Sequence, residues 1–484
     1  MLRAPHFSAL CATALTTTVL ALAVAGCADM GNVRPRSQPL LANDLAAGAT
    51  IGAAVASDAQ WPAEQWWHAF GDAQLDRLMT AALAGNPGLK AAQARVRQAA
   101  ALADAVGAAT GPQAAANVGA TRERFPAHGA APAALAGNWA WYNSATLNGS
   151  YDLDLWGRHH DMLAAALGDA RAAAAEAQMA RLSLQSAVVR TYIQLWYRHA
   201  LQDSIADSLA QRRRILEIVR RRQAAGLASM IDVATIENTL PAGRREHEQV
   251  GESIAVLRNQ LAALVGKGPG EAETIARPAP ALRQAATLPS ALPAELLGRR
   301  PDIAAMRWRV EAAGKRIDGA RAAFYPNLNL IAFAGLQSFG FTRFFDASAR
   351  TLGFTPAFSL PVFEGGRLRS QLSADTAAYD AAVEQYNGTV VGALAEVANV
   401  VAKIQSSNEQ QHLAEAALAT ASRAHALADQ AYRSGITDAT NALQAQLILL
   451  GEQDQLLRVE SERLDNYASL MAALGGGVGA AEGI

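Results

Sequence analysis

Few residues in this sequence combine the type and the spacing that chemistry requires. His159 and His160 are adjacent. On a helix, neighbours point about 100° apart, whereas two ligands of one metal stand three or four residues apart. His247 lies between Glu246 and Glu248 on a polar helical face and reads as solvated. The run Gly266-Lys267-Gly268-Pro269-Gly270 has neither the spacing nor the Ser/Thr of a phosphate-binding loop. The glycine cluster at 475–479 reads as a flexible tail. No Ser/His/Asp arrangement stands out. The two cysteines, Cys11 and Cys27, both fall in the first thirty residues, so the rest of the chain can build neither a disulfide nor a Cys-based metal site. The expectation is no catalytic residue, no metal and no cofactor, hence no enzyme.

The chemistry that is legible is a modification. Arg3 opens a short positive start, and an apolar stretch runs from Phe7 to about Val24. It ends in Val24-Ala25-Gly26-Cys27, which looks like a bacterial lipoprotein cleavage box. Residues 1–26 are then a signal peptide, and Cys27 is the lipidated first residue. Ala28, rather than an aspartate, follows it, which points to the outer membrane and its lipids; Asp29 comes one place later. Residues 27–74 form an N-terminal arm, extended like a strap over 28–60. The 484 residues carry 42 Lys+Arg against 43 Asp+Glu, a balance that suggests no nucleic-acid partner. Aromatics are only 6%, and alanine, which favours helices, is abundant.

The chain is a duplication. Leu261-Ala262-Ala263-Leu264-Val265-Gly266 is echoed by Leu470-Met471-Ala472-Ala473-Leu474-Gly475, 209 residues on. Gly226 meets Gly435, Gly157-Arg158 meets Gly366-Arg367, and Asp232 meets Asn441 at the same offset. Earlier in each half the offset is 214: Pro87 meets Pro301, Arg95-Val96 meets Arg309-Val310, and Pro112 meets Pro326. The change falls around the loop-like stretch Phe125-Pro126-Ala127-His128-Gly129, where length changes are tolerated. Two repeats, 75–266 and 299–475, are joined by a proline-rich connector, 267–298, and followed by a tail, 476–484.

Each repeat reads helix, strand, strand, long helix, helix. Strands are expected at about 112–125, 139–155, 326–341 and 350–363. In the second strand Trp139, Trp141, Leu147, Tyr151 and Leu153 alternate with Tyr142, Ser144, Thr146, Asn148, Ser150 and Asp152. In the fourth, Leu352, Phe354, Phe358 and Leu360 alternate with Thr351, Thr355 and Ser359. Such strands either bury the apolar face on a core or turn it to lipid. They exceed the roughly 9–11 residues that cross a bilayer. A lipid-facing sheet must close, and four strands cannot, so an oligomer is expected. Helical hairpins follow at about 158–265 and 366–474. The long helix from Arg158 to about Gln223 holds no proline and, at 1.5 Å per residue, spans roughly 100 Å. Val188, Tyr192, Leu195, Ile205, Leu209 and Leu216 mark its packing stripe. A kink is expected in its partner at Pro241 and Gly243.

These features resemble the TolC-like outer-membrane factors, in the lipoprotein branch serving tripartite efflux pumps. The resemblance rests on Trp61-Pro62, Trp66-Trp67, Phe70, Asp72, Asp154-Leu155-Trp156-Gly157-Arg158, Arg299-Arg300-Pro301-Asp302-Ile303, Phe324-Tyr325-Pro326 and Leu360-Pro361-Val362-Phe363-Glu364-Gly365-Gly366-Arg367. It covers nearly the whole mature chain. It implies a mainly α protein with a membrane β-barrel: a homotrimer whose four strands per chain close a 12-stranded barrel on a long α-helical periplasmic tunnel. The implied function is the exit duct for small toxic compounds or drugs. The implied partners are a periplasmic membrane-fusion adaptor and an inner-membrane transporter of RND, MFS or aromatic-acid exporter type. The loop run 122–129 is similar to members paired with aromatic-acid or hydrophobic-drug exporters. The hairpin turns, with Gly226, Leu227, Gly435, Ile436, Arg222 and Arg433, are the candidate docking surface. Asp232, Asp438, Asn441 and Gln444 are gate candidates; Asn441 and Gln444 are neutral where the family carries acidic residues. Two other readings are a duct for proteins or peptides with an ABC transporter and a lipid-anchored periplasmic coiled-coil scaffold.

Overall fold

The computed structural model describes residues 29–40, 61–128, 132–282 and 298–477. The signal segment, Cys27, arm residues 41–60, Gly129, connector residues 283–297 and tail residues 478–484 lie outside the described residues. The elements run α1 (Ala73–Gly85), α2 (Pro87–Ala109), β1 (Gln113–Arg124), β2 (Trp139–Leu153), α3 (Arg158–Ala224), α4 (Met230–Leu264), α5 (Pro301–Ala322), β3 (Asn327–Phe339), β4 (Arg350–Ser359), α6 (Arg367–Arg433) and α7 (Ala439–Ala473). Helix α1 has no counterpart in the sequence pattern, which starts the first helix of each repeat beside Pro87 or Pro301. Asp72 caps it, accepting from the Gln74 amide at 2.8 Å.

The duplication is exact in length where the offset is constant. Helices α3 and α6 each hold 67 residues, and α4 and α7 each hold 35. Their ends are set by the same device. Gly226 and Gly435 each take φ +74°, and Gly266 and Gly475 take +76° and +89°. Each closes a Schellman turn, as when Leu227 N–H donates to the Arg222 carbonyl at 2.8 Å. At Gly266 a Cβ would stand 2.5 Å from the Gly85 carbonyl oxygen, and at Gly475, 2.7 Å from that of Arg299. Only glycine fits such a left-handed, closely approached backbone. The glycines at 475–477 are therefore a packed turn rather than the start of a flexible tail: Gly476 lies against Leu182 and Gly477 against the Ala63 carbonyl.

Helix α4 runs unbroken through Pro241 and Gly243, where the kink is expected. The Arg212 guanidinium on α3 donates to the Thr239 carbonyl at 3.1 Å. Gly243 is buried under Leu209, whose Cδ2 would lie 2.8 Å from an added Cβ, so the glycine admits the neighbouring helix.

Two compact units result. One is built on segments 96–172 and 306–386, with arm residues up to 39. It contains the sheet and a core of Ile317, Phe324, Leu368 and Leu372, on which arm residues Met30 and Val33 pack. The other is built on 173–305 and 387–484, with residues 40–95. Its fully buried side chains include Phe70, Leu75, Met79, Tyr192 and Leu261. The stripe read from α3 is buried throughout, from Val188 to Leu216. Among the described residues no helix is long and apolar enough to cross a membrane.

Candidate functional site

The four strands form one antiparallel meander in the order β1-β2-β3-β4. Register fixes which residues share a face, because side chains alternate along each strand. Ala116 pairs with Leu147, Leu147 with Ala334, and Ala334 with Leu352. The neighbouring rows on that face are Ala114, Gly149, Ala332 and Phe354, then Tyr151, Leu330 and Pro356, then Leu153, Leu328 and Phe358. The opposite face carries Asn117-Thr146-Gly335-Thr351, Gly119-Ser144-Gln337 and Asp152-Asn329-Ala357. Phe333 interrupts the polar face, its ring covering Gly353 on the next strand, where a Cβ would lie 2.5 Å away.

The apolar face is not covered. Leu352 is 83% exposed, Phe354 67% and Phe358 66%. A contiguous exposed apolar surface marks a membrane or a partner. Aromatic rings flank it at both strand ends. At one end, Trp141 of β2 lies 5.5 Å from Phe341, and Trp139 and Phe345 are exposed. At the helix-side end Trp156 stacks on Tyr325 at 4.7 Å and donates Nε1–H to the Pro326 carbonyl at 2.7 Å. An apolar band between aromatic girdles is the pattern of an outer-membrane barrel strand. Among the described residues, strands β1 and β4 each keep one free edge.

The motif residues at 152–160 and 324–327 make the junction from strand to helix. Gly157 turns the chain at φ +76°. Asp154 accepts the His160 amide at 2.8 Å, and Asp152 is held by His159 Nε2 and Asn327 Nδ2, each at 3.1 Å. The His159 ring thus goes to Asp152, whereas Asp154 takes the backbone amide of His160. No metal-ligating cluster occurs among the described residues.

The hairpin turns expose apolar side chains: Leu227 69%, Ile231 77% and Ile436 80%. Ser229 caps α4 through a capping box with Asp232, whose Oδ2 accepts from both the amide and the hydroxyl of Ser229 at 2.8 Å. These bonds, with Arg222 nearby, hold the Asp232 carboxyl below its ordinary value, so it is ionised at neutral pH. Asp438 caps α7 by accepting the Asn441 amide at 3.0 Å, while Asn441 Nδ2 donates to Thr437 at 2.7 Å. Arg433 pairs with Asp429 at 2.8 Å. Gln444 is exposed. Asp232, Asp438 and Asn441 are thus engaged at the starts of α4 and α7.

The outer membrane efflux protein family matches residues 78–267 and 292–476. The chain belongs to that family. It is 44% identical over 369 residues to the fusaric acid resistance protein FusA of Burkholderia cepacia, covering 75% of this chain and 69% of that one. It is 34% identical over 431 residues to the multidrug resistance outer membrane protein MdtP of Escherichia coli K12, covering 86% and 87%. The crystal structure of the outer membrane protein VceC of Vibrio cholerae superposes with a TM-score of 0.82 at 35% identity, over 86% of this chain and all of that one. The fold of this outer membrane efflux protein, mainly α with membrane strands, is that of an outer-membrane channel, and its place is the outer membrane.

Two polar knots of the efflux protein explain family residues that do not touch the sheet. Arg300 is buried; it pairs with Asp302 and Glu396, both at 2.8 Å, and donates to the Ala473 carbonyl at 2.9 Å. Asp72 receives the Tyr192 hydroxyl at 2.6 Å and the Ala279 amide at 2.9 Å. Burial pushes the Asp72 carboxyl up, but the bonds from Tyr192 and from the Ala279, Gln74 and Leu75 amides outweigh it, leaving the group below 3.8. Burial and the same carboxylate hold the Tyr192 hydroxyl far above the ordinary phenol range. A carboxylate with a lower pKa folded than unfolded adds stability that is complete above the unfolded value and lost as pH falls through the folded one. Asp72→Asn is therefore expected to lower the melting temperature at neutral pH. The gap to wild type should close as pH drops below 3.8 in a series of thermal melts. A gap that stays constant into acid would mean that the charge is not its cause.

Arm residues Asp29, Arg36 and Ser37 are pinned to α6. Arg369 binds the Asp29 carboxylate at 2.7 Å, and Asp380 accepts the amides of Arg36 and Ser37 at 2.8 and 3.0 Å. Sequence alone gave no sign of these partners, which lie on α6 more than three hundred residues away.

Proposed function

We propose that three copies close a 12-stranded barrel and form the exit duct of a tripartite pump for small toxic compounds. One observation carries this reading: a four-stranded ribbon with one bare apolar face, aromatic girdles and two free edges. In lipid every backbone donor and acceptor must be paired, so the free edges of β1 and β4 need sister strands. Three copies give twelve strands and a bore wide enough for passage. The long helices α3 and α6 carry the path into the periplasm. The turns at Gly226, Leu227, Gly435 and Ile436, with Arg222 and Arg433, receive a membrane-fusion adaptor, and an inner-membrane transporter supplies the energy. Lipidation at Cys27 anchors each copy. Asp232 and Asp438 shape the narrow end beside neutral Asn441 and Gln444. The protein performs no catalysis and needs no cofactor.

The cargo reading draws on the relatives, named for fusaric acid and multidrug resistance. Deleting the gene in its own host is expected to lower the tolerated concentration of an aromatic acid or a hydrophobic drug several-fold, with rescue by the full chain. Unchanged tolerance to every compound, alongside a loss of protein secretion, would favour the peptide duct instead.

A further inference from the structure

The apolar face of the sheet carries charge at one end only. Register sets Arg122 opposite Trp141, Arg124 opposite Trp139 and Arg350 opposite Leu336. Side chains alternate along a strand, so Arg122 and Arg124 share the face of Ala116, and Arg350 shares that of Leu352 and Phe354. All three are exposed. Among the described residues, no other charged side chain stands on that face of the four strands; Glu123 and Asp152 belong to the opposite one. The rows at the helix-side end, Tyr151-Leu330-Pro356 and Leu153-Leu328-Phe358, are uncharged.

A guanidinium on a lipid face is costly at mid-bilayer and costs little at the interface, where it reaches headgroups. Helix α2 leads into β1 and β2 leads into α3, so the arginine end is the one away from the helices. On the duct reading it meets the outer leaflet. Trp139 and Trp141 stand opposite two of the arginines, and the Arg124 side chain is fixed by its Nε, which donates to the Gly137 carbonyl at 3.1 Å. Arg122 and Arg124 lie on β1 and Arg350 on β4, the two edge strands. Closing the barrel sets β4 of one copy beside β1 of the next, which gathers the arginines at the seams between copies.

We infer that each seam binds a phosphorylated glycolipid of the outer leaflet, an inference that rests on the duct reading above. Arg122, Arg124 and Arg350 hold its phosphates, and its acyl chains lie on the apolar band. Guanidinium forks match phosphate oxygens in pairs. Arg122 and Arg124 stand about 7 Å apart along β1, and Arg350 comes from another strand, so one phosphate cannot meet all three. A sugar disaccharide phosphorylated at both ends can, whereas a glycerophospholipid offers a single phosphate.

The test counts lipid adducts on the full chain, purified as a trimer in mild detergent, by native mass spectrometry. The probes are bis-phosphorylated lipid A, its fully dephosphorylated form and phosphatidylglycerol. Bis-phosphorylated lipid A is expected to bind once per copy, about tenfold tighter than either of the others, as three exposed charge pairs acting together would give. Arg122→Gln/Arg124→Gln/Arg350→Gln should remove that advantage. Thr121→Asn, on the other face of β1, should change nothing. Arg122→Lys/Arg124→Lys/Arg350→Lys keeps the charge but loses the fork; it should assemble and bind several-fold more weakly, and it carries the test if the glutamine variant does not assemble. Equal binding of the dephosphorylated lipid or of phosphatidylglycerol, or wild-type affinity in either triple variant, overturns the inference. A trimer that binds none of the three lipids overturns the site alone and leaves the duct standing; a chain that never forms the trimer overturns the duct reading as well.

Discussion

Leu147→Arg is expected to abolish assembly in the outer membrane, while Asn148→Arg, one residue along the same strand, leaves it intact. Leu147 sits in the row Ala116-Leu147-Ala334-Leu352 on the apolar face and is itself exposed. An arginine facing the middle of a bilayer costs about 2–4 kcal/mol. In a closed barrel of three copies that cost recurs three times. Asn148 belongs to the polar face, where a charged side chain meets water. The measurement is the migration of unheated outer-membrane extracts on a denaturing gel, with total protein checked by immunoblot. Equal loss in both variants would point to a general folding defect. Loss in Asn148→Arg alone would reverse the assignment of the two faces.

Arg300→Met is expected to be the most damaging single change in the unit built on 173–305 and 387–484. The guanidinium binds Asp302, Glu396 and the Ala473 carbonyl together. Removing one partner of such a knot costs about 3–5 kcal/mol, because the carboxylates and the carbonyl lose their donor. Methionine fills much of the volume, so the loss is electrostatic rather than a cavity. Chemical denaturation should move to lower midpoint at unchanged slope. The double variant Arg300→Met/Glu396→Gln should recover part of it. If the single variant denatures like wild type, the knot contributes nothing net.

Legibility followed periodicity. The alternation of Leu352, Phe354 and Phe358 with Thr351 and Thr355 gave the lipid face because period 2 survives in isolation. The paired glycines 226/435 and 266/475 gave the turns because a left-handed residue is written as glycine. The duplication made each half evidence for the other. What depended on distant partners stayed hidden. Asp72 was visible as a family residue, but its hold on Tyr192 and the connector was not. The glycines at 475–477 read as a tail, because close approach to Arg299 and Ala63 leaves no local mark. Asp232 drew attention as a gate charge, and the structure binds it into a capping box.

The central claim is that the ribbon of β1 to β4 cannot seal a membrane by itself. Native mass spectrometry of the full chain, released from outer membranes in mild detergent, tests it most directly. The account predicts a species of three chains that keeps its detergent belt and separates only on heating. A single chain that remains dispersed in detergent-free buffer, with Leu352 and Phe354 protected from water, would contradict it.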